Sequence, residues 1–222
     1  MPTALVTGAN RGIGNQFVHK LRELEFDVIS VVRDASKAED LKNISSVIEA
    51  DLTSEHAISG IADQVTTLDL LVNNAGVLDE SPQASEVGEL QGDTFRFHFQ
   101  VNSIAPVLLM QALVPKMSEG SVICNISSGA SQLSVVRGMY AIGYSMSKAA
   151  LNMAVVRLAQ DKAFEKVIVV AMDPGWVRTD MGGPSAPLSP EQSVTNMLRT
   201  IGRLGPGSSG LLFSHAGNVM PW

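Results

Sequence analysis

The chain has 222 residues, 45% hydrophobic and 17% charged, with a formal net charge of -6. That much apolar material excludes a disordered chain and suffices for one large core, so a single domain over residues 1–222 is expected. No basic tract exceeds two residues, which argues against nucleic acid or an anionic membrane surface as partner, and no apolar stretch is expected to reach the ~18 residues of a bilayer span.

Residues 4–6 form a short apolar run ending in Thr7-Gly8. Apolar residues then recur at Ile13, Phe17, Val18, Leu21 and Leu24, the spacing of an amphipathic helix over 12–24. Strand-like residues begin at Thr3, leaving no room for a secretory leader, and the cytosol is the expected compartment. Gly8, Gly12 and Gly14 mark the first strand–helix junction in the pattern G-x-x-x-G-x-G. Glycine lets the backbone turn sharply and approach a pyrophosphate, and the helix N-terminus adds free N–H groups and a partial positive charge. At this place in a βαβ pattern the loop, with Asn10, Arg11 and Ile13, reads as a dinucleotide cradle.

Residues 28–32 are a β-branched second strand, followed by Arg33 where an acidic residue would bind the ribose hydroxyls of NAD. With Arg11 it favours the 2′-phosphate of NADP(H), although Asp34 comes one position later. Further strands are expected at 46–50, 68–72, 121–126 and 167–172, with a short seventh at 210–213. Helices are expected between them at 57–64, 94–117, 144–164 and 190–201. The strand runs are almost wholly apolar, which marks strands covered on both faces. The fold class is therefore α/β: a Rossmann-type doubly wound parallel sheet of about seven strands with helices on both faces. The stretches 94–117 and 151–159 are apolar on more than one face, and a homodimer or homotetramer is expected.

Tyr144 and Lys148 are four apart at the start of a helix and so share a face. A phenol with a pKa of about 10 is a poor acid–base catalyst at neutral pH, and a nearby ammonium lowers it. Tyr140 has no lysine four residues after it. His19, His56, His98 and His215 are scattered without metal-ligand spacing, and no metal is expected. Met110, Met117, Met139, Met146 and Met153 read as packing or pocket wall. The lone Cys124 reads as a small buried hydrophobe, and no G-x-S-x-G elbow points to a hydrolase.

The glycine loop 7–14, Asn73-Asn74-Ala75-Gly76, Asn102, Ser127-Ser128, Tyr144 with Lys148, and Pro174-Gly175 occur in one order over essentially the whole chain. In that combination the sequence resembles the short-chain dehydrogenase/reductase family. The stretches 173–183 and 148–153 and the closing Pro221-Trp222 resemble its carbonyl reductase and C-factor-like branch. The resemblance implies an NADPH-dependent reductase of a ketone or aldehyde, or the reverse oxidation of an alcohol. Tyr144 would be the general acid, Lys148 would lower its pKa and hold the nicotinamide ribose, and Ser128 would hydrogen-bond the substrate oxygen. Asn102 would hold a water linking Lys148 to solvent. Asp51 would meet the adenine amino group, and Asn74, Ala75 and Gly76 would pack on the adenosine. Val177 and Thr179 would contact the nicotinamide carboxamide, and Leu52 and Pro174 complete the cofactor-binding set.

Ser128 and Tyr144 are further apart than is usual in the family, so 129–143 is expected to form a longer loop, and Ser127 and Ser131 compete for the serine role. The short Gly-, Pro- and Ser-rich region after Met181 implies a reduced lid, and hence a bulky or loosely specified substrate. A different class, a dinucleotide-binding signalling protein with little turnover, is the alternative. An isomerase or epimerase would call for a larger substrate domain.

Overall fold

The computed structural model describes residues 1–135 and 141–222. Eight strands form one sheet: β1 (Thr3–Thr7), β2 (Asp27–Val32), β3 (Ser46–Glu49), β4 (Leu68–Asn73), β5 (Met117–Ile126), β6 (Ile168–Asp173), β7 (Leu212–Ser214) and β8 (Val219–Met220). Their order is β3-β2-β1-β4-β5-β6-β7-β8, parallel throughout except for β8, which runs antiparallel to β7. The architecture is the expected Rossmann-type sheet with one strand more than foreseen. Residues 219–220 are too short a run to announce a strand, and they pair only because the turn after β7 folds back.

The continuous apolar strands are explained by alternation between two cores. Along β1, Ala4 and Val6 face one core and Leu5 the other; along β5, Val122, Cys124 and Ile126 oppose Ile123. On the first face lie α1 (Gly12–Glu23), through Phe17, Val18 and Leu21, and α7 (Pro190–Ile201), through Val194, Met197 and Ile201. The second face is covered by α2 (Glu55–Asp63), α5 (Ala105–Leu113) and α6 (Ile142–Leu158), through residues such as Ile61, Leu109 and Val155. Local sequence sets the helix ends. Ser189 and Gln192 form a reciprocal capping box with Pro190 in the first turn of α7. Lys20 and Arg22 lie in the last turn of α1, where cations suit the negative end of the helix dipole.

Among the described residues two shorter helices complete the set, α3 (Pro82–Ser85) and α4 (Gly92–Phe99). The helix expected over 94–117 is α4 and α5 joined by a π-turn at Gln100–Ile104, and Met117 already belongs to β5. This continuous helical run, Gly92–Lys116, is 25 residues long and holds an 18-residue window with a mean hydropathy of 1.3, so the expectation that no stretch reaches membrane length needs correcting. Its apolarity has a packing cause: Ala105, Leu109, Met110 and Leu113 form part of the second core. The helix expected over 144–164 starts at Ile142 and ends at Leu158, and Lys162–Phe164 is a separate 3-10 turn. The expected 129–143 loop opens as a 3-10 turn at Gly129–Ser131, and residues 136–140, with Met139 and Tyr140, lie outside the described residues.

The β1–α1 loop depends on close backbone approach. Gly8 has φ +63°, and a Cβ at Gly14 would collide with the Gly8 carbonyl oxygen and the Asn74 amide. Gly14→Ala is therefore expected to destabilise the fold by about 1–3 kcal/mol through overpacking. Urea denaturation monitored by circular dichroism measures it.

Candidate active site

The strand order reverses between β1 and β4, and the crevice at the carboxyl ends there is where open α/β sheets take their ligands. Thr7, the last residue of β1, holds the crevice together. Its Oγ1 accepts the N–H groups of Asn74 and Ala75, each at 3.0 Å. Asn74 Nδ2 donates to the carbonyls of Thr7 at 2.8 Å and Gly8 at 3.3 Å. The glycine loop and the Asn74-Ala75-Gly76 segment are thus stitched into one surface. Opposite, Thr179 approaches Gly12 so closely that a Cβ there would sit 3.1 Å from its methyl group. Ser193 Oγ donates to the Pro174 carbonyl at 2.7 Å, fixing the turn that leads to Val177. Asn10 and Ile13 lie half-buried along the loop, and the first turn of α1 leaves backbone N–H groups without intrahelical partners.

The two arginines differ. Arg11 pairs with Asp180 at 3.1 Å, with both side chains well exposed. Arg33 is exposed at the end of β2, and among the described residues no ion pair includes it. Asp34 turns away from it: its Oδ1 accepts the Ser36 N–H at 3.0 Å and the Ser36 hydroxyl at 2.6 Å, which with Lys37 nearby lowers its pKa. Asp51 accepts the N–H and hydroxyl of Thr53, both at 2.9 Å, and these bonds, assisted by Arg33, lower its pKa too. Leu52 is half-buried and packs against the second core.

At the other end, α6 presents Tyr144, Ser147, Lys148, Leu151, Asn152 and Val155 to the interior, all buried. Tyr144 and Lys148 share this face as expected. Ser128 caps the 3-10 turn after β5, accepting the Ala130 N–H at 3.1 Å, and its hydroxyl is hydrogen-bonded to the Tyr144 phenol. Its competitors are engaged elsewhere: Ser127 Oγ donates to Asn152 Oδ1 at 2.6 Å, and Ser131 Oγ accepts from Asn152 Nδ2 at 2.7 Å. Of the three serines, Ser128 is the one brought to Tyr144.

Asn102 lies wholly buried in the π-turn. Its Oδ1 accepts the Val77 N–H at 2.8 Å, and its Nδ2 donates to the Val77 carbonyl and to Ser147 Oγ, each at 2.9 Å. Gly76 keeps the neighbouring space open: a Cβ there would sit 3.3 Å from Asn102 Oδ1 and 3.5 Å from Lys148 Nζ.

The electrostatics differ from the sequence expectation. Burial pushes the Tyr144 phenol up to about 12; the Ser128 hydrogen bond opposes this and the Asp173 carboxylate adds to it. Lys148 Nζ donates to the Ile126 carbonyl at 2.7 Å and stands 6.0 Å from the phenol ring centroid. Burial brings the lysine down to about 8. Desolvation, which sequence spacing does not reveal, sets the direction for both groups. The phenol is a neutral hydrogen-bond donor at neutral pH.

Several structuring residues escaped the sequence reading. Glu49 Oε2 accepts the Ala35 N–H at 2.8 Å, anchoring the segment after Arg33. His98 is fully buried, with Nε2 accepting the Asp79 N–H at 3.1 Å and Nδ1 facing the Thr94 carbonyl at 2.9 Å. Ser147 and Asn152 had a usable signal, being polar residues at positions that the helical period assigns to the core.

The whole architecture places the chain among nucleotide-dependent oxidoreductase folds, and comparison makes this specific. The family model for short chain dehydrogenases matches residues 2–187, and the chain belongs to that family. A curated relative, "C-signal" of Myxococcus xanthus, is 37% identical over 157 residues, covering 70% of this chain and 93% of that protein. The carbonyl reductase Sniffer of D. melanogaster superposes with a TM-score of 0.92 at 27% identity, covering 100% of both chains. An NADPH-bound carbonyl reductase from chicken fatty liver gives 0.90 at 30% identity, covering 100% of this chain and 99% of that one. The carbonyl reductase and C-factor-like branch named by the sequence motifs is therefore the right one.

Proposed function

We propose that this protein is an NADP(H)-dependent carbonyl reductase that protonates a ketone or aldehyde through Tyr144 while hydride is delivered to the carbonyl carbon. The observation that carries it is the buried Tyr144 phenol, hydrogen-bonded to Ser128 and one helical turn from buried Lys148. The cofactor fits the crevice. Side chains are lacking at Gly8, Gly12 and Gly14, where a Cβ would meet Ala75, Thr179 and the Gly8 carbonyl. The pyrophosphate would rest on this loop, and Asp51, Leu52, Asn74, Ala75 and Gly76 would bound the adenosine. Pro174, Val177 and Thr179 would bound the nicotinamide, which supplies the hydride when bound. Arg33 would take the 2′-phosphate. NADPH or NADP is bound by the chicken carbonyl reductase and by several other solved structures of similar fold.

In this reading Ser128 stabilises the charge that develops on the substrate oxygen. Lys148 holds the nicotinamide ribose and returns a proton to Tyr144. A water in the gap beside Gly76, within reach of Asn102 and Lys148, links the lysine to solvent. Trp176 and Met181 are exposed beside the site, with the Trp176 indole N–H donating to the Gly182 carbonyl at 2.7 Å. Among the described residues no helix lies between β6 and α7, which suits a bulky apolar carbonyl compound. A dinucleotide-binding signalling protein with little turnover has no need for this proton relay. The exposed apolar residues Ile104, Met146 and Met153 support a homodimer or homotetramer.

Tyr144→Phe is expected to lower kcat for NADPH-dependent reduction of an aromatic diketone by about 10²–10⁴-fold, read at 340 nm. A wild-type rate would overturn the catalytic role, and NADPH binding without reduction of any carbonyl compound would favour the signalling alternative. Because the relay needs protonated Lys148, kcat/KM for reduction is expected to be level at low pH and to fall above about 8, with alcohol oxidation showing the opposite slope. Arg33→Ala is expected to weaken NADPH binding about 10–100-fold while leaving NADH little changed, by fluorescence titration. Arg11→Ala, with its exposed partner Asp180, is expected to do less. A monomeric mass by light scattering would overturn the oligomer.

A further inference from the structure

Asn152 stands two helical turns beyond Tyr144 and one beyond Lys148 on the same buried face of α6. It is 4% exposed, and both ends of its amide are used. Oδ1 accepts the Ser127 hydroxyl proton at 2.6 Å, and Nδ2 donates to Ser131 Oγ at 2.7 Å. Ser131 Oγ in turn donates to the Ser128 carbonyl. That carbonyl can only accept, so the Ser131 proton is committed to it, and Ser131 must receive rather than give toward Asn152. The direction of every bond in the chain follows, and the amide has one orientation that satisfies it. The helix bearing Tyr144 is thus tied to the residues on both sides of Ser128, and through Ser131 to Ser128 itself.

We propose that Asn152 is a positioning residue that sets Ser128 against Tyr144. The inference rests on the reading of Ser128 and Tyr144 given above. Without the tie, the turn after β5 is held to α6 by the Lys148 bond to Ile126 and by the Ser128–Tyr144 hydrogen bond itself. The latter is the contact that substrate must compete for. A clamp outside the reacting atoms keeps Ser128 in place while its hydroxyl turns from the phenol to the substrate oxygen. Ser128 Oγ already accepts the Ala130 N–H, which leaves its single proton to be given away.

The decisive variant is Asn152→Asp, which keeps size and the Ser127 acceptor but turns the donor toward Ser131 into an acceptor. Ser131 must then give its proton to the carboxylate and release the Ser128 carbonyl. With NADPH and 9,10-phenanthrenequinone as probe, kcat is expected to fall about 10–100-fold. KM for the quinone and the Kd for NADPH are expected to stay within about twofold, and in Ser131→Ala, which adds no charge near Lys148, the alkaline limb near 8 is expected to stay in place. A merely structural role would lower the folded fraction and leave kcat per NADPH-binding site unchanged. Ser131→Ala, which removes the hydroxyl that joins Asn152 to the Ser128 carbonyl and leaves only the Ser131 N–H on that carbonyl, is expected to lower kcat in the same direction and decides the matter if Asn152→Asp does not fold. Hydrogen exchange supplies a readout independent of turnover. The N–H groups of Ala130 and Ser131, bonded to the Ser128 hydroxyl and carbonyl, are expected to exchange faster in either variant. Wild-type kcat per binding site, or unchanged exchange at these two amides, overturns the proposal. Tyr144→Phe measured alongside separates the two readings. Full turnover in that variant defeats the reductase mechanism, while the exchange experiment still judges the clamp.

Discussion

Burial of a polar stripe on α6 is the constraint on which the rest of the site depends. Ser147, Lys148 and Asn152 occupy positions that helical geometry turns toward the core, and a buried polar group must find a partner. The partners available are the backbone and side chains at the carboxyl end of β5 and, in the π-turn, the Asn102 amide that holds the segment after β4. Lys148 takes the Ile126 carbonyl, Asn152 takes Ser127 and Ser131, and Ser147 takes Asn102, which grips Val77. Docking the helix and placing the loops are therefore one event. The loops that carry the chemistry are held by the same hydrogen bonds that make burial of the helix tolerable.

The opposite end of the crevice is built by a different device. There the backbone itself does the work: Thr7 and Asn74 exchange side-chain-to-backbone bonds across strands adjacent in the sheet but far apart in sequence. Glycines leave the surface bare where the chain must come close. One half of the site is thus a shaped backbone cradle and the other a set of buried side chains, joined at Gly76, which borders both Asn74 and the Asn102–Lys148 gap.

The sheet was legible because two-sided burial writes itself as unbroken apolar runs, as at residues 168–172. The glycine loop and the Tyr144–Lys148 pair were legible because each is local. What escaped needed contacts across the chain. The ion pair of Arg11 with Asp180, 169 residues away, is one such contact. The choice among Ser127, Ser128 and Ser131 depends on the register between β5 and α6, which adjacent identical residues cannot reveal. The π-turn leaves no mark in an apolar helix, and the raised phenol pKa is a property of burial rather than of spacing. β8 is a two-residue consequence of a turn.

The lysine at the centre of the relay also bears on how firmly the protein folds. Its pKa is about 8 in the folded chain, below the ordinary value of 10.5 that the unfolded chain would keep. Between those values the unfolded state binds the extra proton, so conformational stability rises with pH across that window and its deficit is complete below it. The cost of holding the lysine protonated in the interior is therefore fully present at neutral pH. Catalytic reduction and fold stability thus have opposed slopes in mild alkali: the protonation state that serves the chemistry is the one the interior least favours.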